Sequence, residues 1–199
     1  MKKENKFLRC GLKYGVWLLA SIIGADSCYN FYRHAKDRER QEATRQDSNA
    51  ERRTDGIYEI IDRHDEKNRD FYRAVVRVES SDNPRAVSRA GARGLMQIME
   101  GTWKDMTNLP YEAAFEPEQN VEVGVRYLNW IADYIEKSMG SERWERLSSE
   151  ERKRLVLAGY NGGVGRLRKN EWKIERMPQE TRNYVEKVME EYGRLGGQK

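Results

Sequence analysis

One glutamate carries the most chemistry in this 199-residue chain. Glu79 closes the apolar run Ala74-Val75-Val76-Arg77-Val78, just before the chain breaks at Asp82-Asn83-Pro84. A carboxyl group there projects from an apolar helix end into whatever cleft follows. Partial burial penalises its charged form and raises its pKa, which suits a general acid at neutral pH. Position alone does not separate this from the ordinary case, a solvated glutamate near a helix terminus. Asp82 stands three residues on, and a continuing helix would put both carboxylates on one face. Metal chemistry has little to work with. His34 and His64 fit no HExxH spacing, and Cys10 and Cys28 form no CxxC pair. A zinc enzyme is therefore excluded, no metal or other cofactor is expected, and no disulfide can staple the later part of the chain.

The elements that must position Glu79 begin after Gly56. Phe71, Val75 and Val78 share one face of a helix that ends near Ser81, where Pro84 forbids its continuation. Gly94-Leu95-Met96-Gln97-Ile98-Met99 is expected to begin another helix. Val121, Gly124, Val125, Leu128, Ala132 and Ile135 recur at helical spacing, with Pro117 at the start of the run and Gly140 beyond its end. Leu155, Val156 and Ala158 lie in a further helix that ends at Asn161-Gly162-Gly163. Pro178 opens the last one, with Tyr184, Val185 and Val188 turned inward. No hairpin signal interrupts the pattern. The expected fold class is all-α, or α with minimal β.

Three segments follow from composition. Residues 1–28 combine a basic start with the short apolar run Tyr14 to Ala25, which reads as a signal peptide or a membrane anchor. Ala25-Asp26-Ser27 before Cys28 is a poor lipoprotein site. Residues 29–56 form a charged linker. Its 33–55 portion holds no large apolar residue and is expected to be a solvated spacer or frayed helix that keeps the domain off a membrane. Residues 57–199 form the folded domain. Residues 1–56 carry 12 Lys and Arg against 8 Asp and Glu, and the rest carries 25 of each, so the whole net charge of +4 lies ahead of the domain. A neutral domain has no net pull on a phosphate backbone, and nucleic acid is not an expected partner.

The motifs around Glu79 recur in a particular order. The chain reads Glu79-Ser80-Ser81-Asp82-Asn83-Pro84, then Ala86, Ser88 and Ala90-Gly91-Ala92, then Gly94-Leu95-Met96-Gln97. Phe115-Glu116-Pro117-Glu118-Gln119-Asn120 follows, with Gly124 and Tyr127-Leu128. Last come Ala158-Gly159-Tyr160-Asn161-Gly162-Gly163 and Glu180-Thr181-Arg182-Asn183-Tyr184-Val185. This series, over about residues 68–192, resembles the Slt-type lytic transglycosylases, the goose-lysozyme-like family that cleaves bacterial peptidoglycan. The resemblance implies a lysozyme-like, goose-type helical domain with a substrate cleft. It implies Glu79 as the single catalytic acid and base, cleaving the MurNAc-β-1,4-GlcNAc bond and leaving 1,6-anhydro-MurNAc ends. It also implies a substrate-binding set of Ser88, Met96, Gln97, Tyr160, Asn161, Glu180 and Tyr184, with peptidoglycan glycan strands as the partner. The expected setting is the periplasm or cell envelope, reached or held through the N-terminal segment, with the protein acting as a monomer.

Each residue has a plainer reading. Gln97 could be a helix-surface amide, Ser88 a turn cap, Asn161 part of a helix stop, and Tyr160 a core residue with its hydroxyl on a backbone carbonyl. Met96 and Met99 fit a core better than a cleft, although Met96 could face substrate. The chain departs from the family pattern at Asp82, where an aromatic residue is usual, at Glu100 in place of Pro, and at Gly159 and Gly162 in place of Ala. Asp82 keeps open a lysozyme-like hydrolase, which would need a second carboxylate to activate water. A silent peptidoglycan-binding scaffold is the other alternative. A turn residue ahead of Pro84 is expected to bond its own backbone rather than reach across the cleft.

Overall fold

The structure is a computed structural model that describes residues 25–196. The body of the apolar run after Lys13, and the leader or anchor reading built on it, lie outside the described residues. Helix α1 (Ala25–His64) contains residues 33–55. Thr44 and Ser48 bond back to the carbonyls of Arg40 and Thr44, at 2.9 and 3.0 Å. Among the described residues, no helix is long and apolar enough to cross a membrane.

The residues from Thr54 onward form one compact unit. Its helices are α2 (Arg69–Ser80), α3 (Glu100–Met106), α4 (Pro117–Met139), α5 (Ser141–Glu145), α6 (Ser149–Gly162), α7 (Val164–Lys169) and α8 (Gln179–Arg194). Short 3-10 turns at Glu66–Asn68, Tyr111–Phe115 and Ile174–Arg176 join them. Extended pairing among the described residues is confined to the isolated bridges Val87–Arg93 and Arg93–Ile98. The expectation of an α fold with minimal β holds.

Packing explains why these helices persist. Helix α8 lies against both α2 and α6, and α6 lies against α4. The facing residues are Val75 and Val76 of α2, Ile131 and Ile135 of α4, Leu157 and Ala158 of α6, and Val185 and Val188 of α8, all buried. Each such large side chain contributes about 1.5–3 kcal/mol on leaving water. Ends are set locally. Ser148 and Glu151 close a reciprocal capping box at the start of α6, with bonds of 3.1 and 2.7 Å. Pro117 opens α4, and Gly140 (φ 93°) ends it.

One element differs from expectation. Gly94 to Ile98 is a tight loop, and helix begins only at Glu100. Leu95, Met96 and Ile98 are all buried, and Gln97 sits in the left-handed region at φ 47°, which a right-handed helix cannot contain. Met99 is 44% exposed rather than in the core.

Candidate active site

Glu79 lies in the last turn of α2. Ser81 (φ 51°) and Asp82 (φ 59°) then take two successive left-handed conformations, and the Ser81 N–H bonds the Arg77 carbonyl at 3.0 Å. Left-handed backbone disfavours residues with a Cβ, so the break after Glu79 is an imposed feature. Burial pushes the Glu79 carboxyl up from 4.5 to about 7, and a hydrogen bond from Tyr184 opposes that rise. The Tyr184 hydroxyl is buried and falls short of strict hydrogen-bond geometry, so its hold on Glu79 is loose. Burial, and then the charge of Glu79, hold the Tyr160 and Tyr184 hydroxyls well above their usual range, so both stay neutral. Helices α2, α6 and α8 thus bring one titratable carboxyl and two neutral phenols together.

The loop between α2 and α3 forms the neighbouring wall. The Ser88 hydroxyl accepts from the Ala92 N–H, and the Ser88 N–H donates to the Ala92 carbonyl, both at 3.0 Å. The Gln97 amide nitrogen donates to the Ala86 and Gly94 carbonyls at 3.1 and 2.9 Å. Both residues therefore shape the loop, and the Gln97 side-chain oxygen is its remaining polar atom. Tyr160 donates to the Met96 carbonyl at 2.6 Å, which ties the loop to α6. Asn120, fully buried on α4, accepts from the Met96 N–H at 2.7 Å and donates to the Ala114 and Arg93 carbonyls at 2.7 and 3.1 Å. Gly94 (φ 79°) is forced by this contact, since a Cβ there would lie 2.2 Å from the Asn120 amide nitrogen.

Placement of the expected site residues is uneven. Glu79, Tyr160 and Tyr184 converge. The expectation that Met96 contacts substrate is corrected, because its side chain is fully buried and fills the space beside Gly124. Asn161 is exposed near the end of α6. Glu180 is exposed in the first turn of α8, one turn before Tyr184 on the same face. Asp82 is 6% exposed, and its charge acts on Tyr58 and Arg77. It is not among the influences on Glu79, which are burial and Tyr184 alone. Beside Asp82, the Asn83 side-chain oxygen accepts from the Arg85 N–H at 3.1 Å. Gly159 and Gly162 sit inside α6. A Cβ would lie 2.9 Å from Ile131 at the first and 2.4 Å from Met177 at the second, so close packing accounts for both.

Two contributors carried no expectation of their own. Asn120 was legible as a polar residue set among apolar neighbours on α4, where a buried amide must find partners. Tyr127, whose ring centroid lies 5.3 Å from that of Tyr160, gave no signal beyond its place one turn after Gly124.

A carboxyl near pH 7 can donate a proton and take one back without metal or cofactor. The profile of the transglycosylase SLT domain family matches residues 60–185. A membrane-bound lytic murein transglycosylase C from Photorhabdus laumondii is 33% identical over 100 residues, which is 46% of this chain and 26% of that protein. The chain thus spans about a quarter of the length of that relative. The 70 kDa soluble lytic transglycosylase of Escherichia coli superimposes with a TM-score of 0.55 at 26% identity, over 69% of this chain and 23% of that one. An inactive Glu-to-Gln mutant of the Pseudomonas aeruginosa lytic transglycosylase Slt gives 0.52 at 25% identity, over 65% and 21%. The lysozyme-like helical fold is shared with these structures.

Proposed function

Because the chain belongs to the transglycosylase SLT domain family, we propose that it is a peptidoglycan lytic transglycosylase. Glu79, protonated, donates to the glycosidic oxygen between N-acetylmuramic acid and N-acetylglucosamine as that bond breaks. The substrate's acetamido oxygen traps the anomeric carbon. The Glu79 carboxylate then takes the proton from the muramic acid C6 hydroxyl, whose oxygen attacks the anomeric carbon and displaces the acetamido group. The product carries a 1,6-anhydro end, and no water is consumed. A single carboxyl group serves both steps, with a pKa of about 7 that places it between its two forms at neutral pH.

The observation that carries this reading is a carboxyl raised to about 7 by burial and set beside two neutral phenols. Asp82, the second carboxylate weighed from the sequence, acts on Tyr58 and Arg77 and is not among the groups that shift the Glu79 pKa. The inactive Glu-to-Gln form of the Pseudomonas relative supports the same role. Ser88, Gln97, Asn161 and Glu180 are assigned to sugar contacts at the rim, with Tyr160 and Tyr184 flanking the acid. Residues 1–28 are assigned to export or anchoring in the cell envelope, in keeping with the membrane-bound relative. The test is mass analysis of fragments released from purified peptidoglycan. Anhydro ends lack one water relative to reducing ends, and Glu79→Gln should lower their release by at least about 10²-fold. Reducing ends as the main product would overturn the reading.

A further inference from the structure

Three residues beyond the acid, a buried carboxylate takes no part in the proton chemistry. Asp82 occupies the second of the two left-handed conformations that end α2, and its charge acts on Arg77 and Tyr58. Arg77 stands in the last turn of α2, two residues before Glu79, and its own carbonyl takes the Ser81 N–H. Its side chain links α2 to two other helices. Nη1 donates to the Tyr58 hydroxyl of α1 at 3.3 Å, and Nε lies 3.4 Å from a Glu191 oxygen of α8. Glu191 follows Tyr184 by two helical turns on the same face of α8, so Arg77 is tied to the face that brings a phenol to Glu79. Tyr58 is itself held firmly. Ile57 and Ile61 near it on α1 are buried. The Arg73 guanidinium, one turn before Arg77 on α2, lies 4.7 Å from the Tyr58 ring centroid and reaches both Asp62 oxygens at 2.6 Å.

We infer that Asp82 is a positioning residue for Glu79, acting through Arg77 and Tyr58 to fix the end of α2 against α1 and α8. The inference rests on the lytic transglycosylase reading given above. A left-handed residue with a Cβ persists only where its surroundings hold it. A buried carboxylate whose field falls on a guanidinium and a phenol supplies that hold, because its burial is compensated only while those groups stay in place. The two left-handed residues in turn set where α2 stops, and so where the side chains of its last turn point. Without the Asp82 charge, Glu191 alone draws on the Arg77 guanidinium, toward α8. Asp82 neither gives nor takes a proton in the reaction. Its effect is on geometry, and a displacement of about 1 Å at a reacting group can lower a rate by about 10²-fold. Asparagine separates the charge from the backbone, since it tolerates the left-handed region as aspartate does.

The test follows the full chain on soluble glycan strands from purified peptidoglycan, with rates taken per folded molecule. Arg77 is half exposed and keeps Glu191, so Asp82→Asn should fold. It should lower kcat about tenfold, leave KM within about twofold of the parent and leave the anhydro product unchanged. Tyr58→Phe removes only the hydroxyl that Arg77 bonds, and should lower kcat about threefold. The double variant should be no slower than Asp82→Asn alone, because both changes break one linkage. A second readout needs no turnover. The carbon NMR signal of the Glu79 carboxyl, assigned by its absence from Glu79→Gln, should titrate near 7 in the parent and closer to 4.5 in both variants, as the freed helix end admits water. Tyr160 and Tyr184 are the ionisable groups that act with Glu79 there, and both stay neutral. Tyr58→Phe changes no charge at neutral pH, so a shift common to both variants reports displacement. A kcat within about twofold of the parent in both variants, a loss carried by KM, losses that multiply in the double variant, or an unmoved titration overturns the positioning role. A native chain that releases no anhydro fragments refutes the reading beneath it, and the Glu79 titration then decides the positioning role by itself.

Discussion

Replacing Glu79 by glutamine should make the protein more stable, and only above a certain pH. The carboxyl titrates near 7 in the folded state against 4.5 as an ordinary glutamate, mainly because burial penalises its charge. A raised acid pKa means that the folded chain binds its proton more tightly than the unfolded chain does. The stability cost is absent below about 4.5, grows as pH rises through the interval, and is fully present above about 7. At 1.36 kcal/mol for each tenfold change, the cost reaches about 3 kcal/mol at pH 8. Glutamine keeps the shape and carries no charge, so it escapes this cost. In urea unfolding of parent and Glu79→Gln, the two curves should nearly coincide at pH 4.5 and separate progressively up to pH 7. By pH 8 the variant's midpoint should lie roughly 1–2 M higher, given typical urea slopes for a domain of this size. Turnover should be lost in the same variant. A stability gap of equal size at pH 5 and pH 8, or a parent more stable than the variant at pH 8, would show that burial does not govern this carboxyl.

Tyr184→Phe removes the hydroxyl that lowers the Glu79 pKa, so the pH at which activity falls as the acid deprotonates should move upward in a pH–rate profile. Asp82→Asn should leave the anhydro product unchanged by mass spectrometry, because the Asp82 charge acts on Tyr58 and Arg77 rather than on Glu79. Gly124→Ala places a methyl group 2.2 Å from the Met96 sulfur, and overpacking of that kind should cost about 1–3 kcal/mol in urea unfolding.

The sequence announced the framework of helices more clearly than the wall of the site. Helices α2, α4 and α8 were legible because their apolar residues keep helical period and because Pro117, Gly140 and Pro178 mark their ends. The loop from Gly94 to Ile98 was misread as helix because it is rich in Leu, Met and Ile, which say that a segment is buried and not what shape it takes. Its shape comes from Asn120, more than twenty residues away, whose three bonds replace those a helix would have supplied. The two methionines, both expected to favour the core, part company: Met96 packs against Gly124, whereas Met99 is left exposed. Glu79 stood out through the ordered motifs that follow it rather than through position alone, and the same motifs named Tyr184, but its place beside the acid was not visible from spacing. Tyr184 arrives only because α8 packs across α2.

The Asn120 contact has a further consequence, in the order of assembly. The Gly94–Ile98 loop owns almost no regular structure and is held at Met96 by bonds to α4 and α6 that span 24 and 64 residues, with a third, from Asn120 to the Arg93 carbonyl at its edge, that spans 27. Such distant closures lose chain entropy before any contact rewards them, so they are expected after the local helices have formed. The wall beside the acid is then among the last parts to set, even though its residues precede α4 in the chain. Once set, it should not loosen piecemeal, because freeing the Met96 N–H exposes a buried amide and strands Asn120. Hydrogen exchange at Met96 should accordingly track unfolding of the whole domain, at a rate closer to that of Val185 in the core than to those of the exposed loop amides around Arg89.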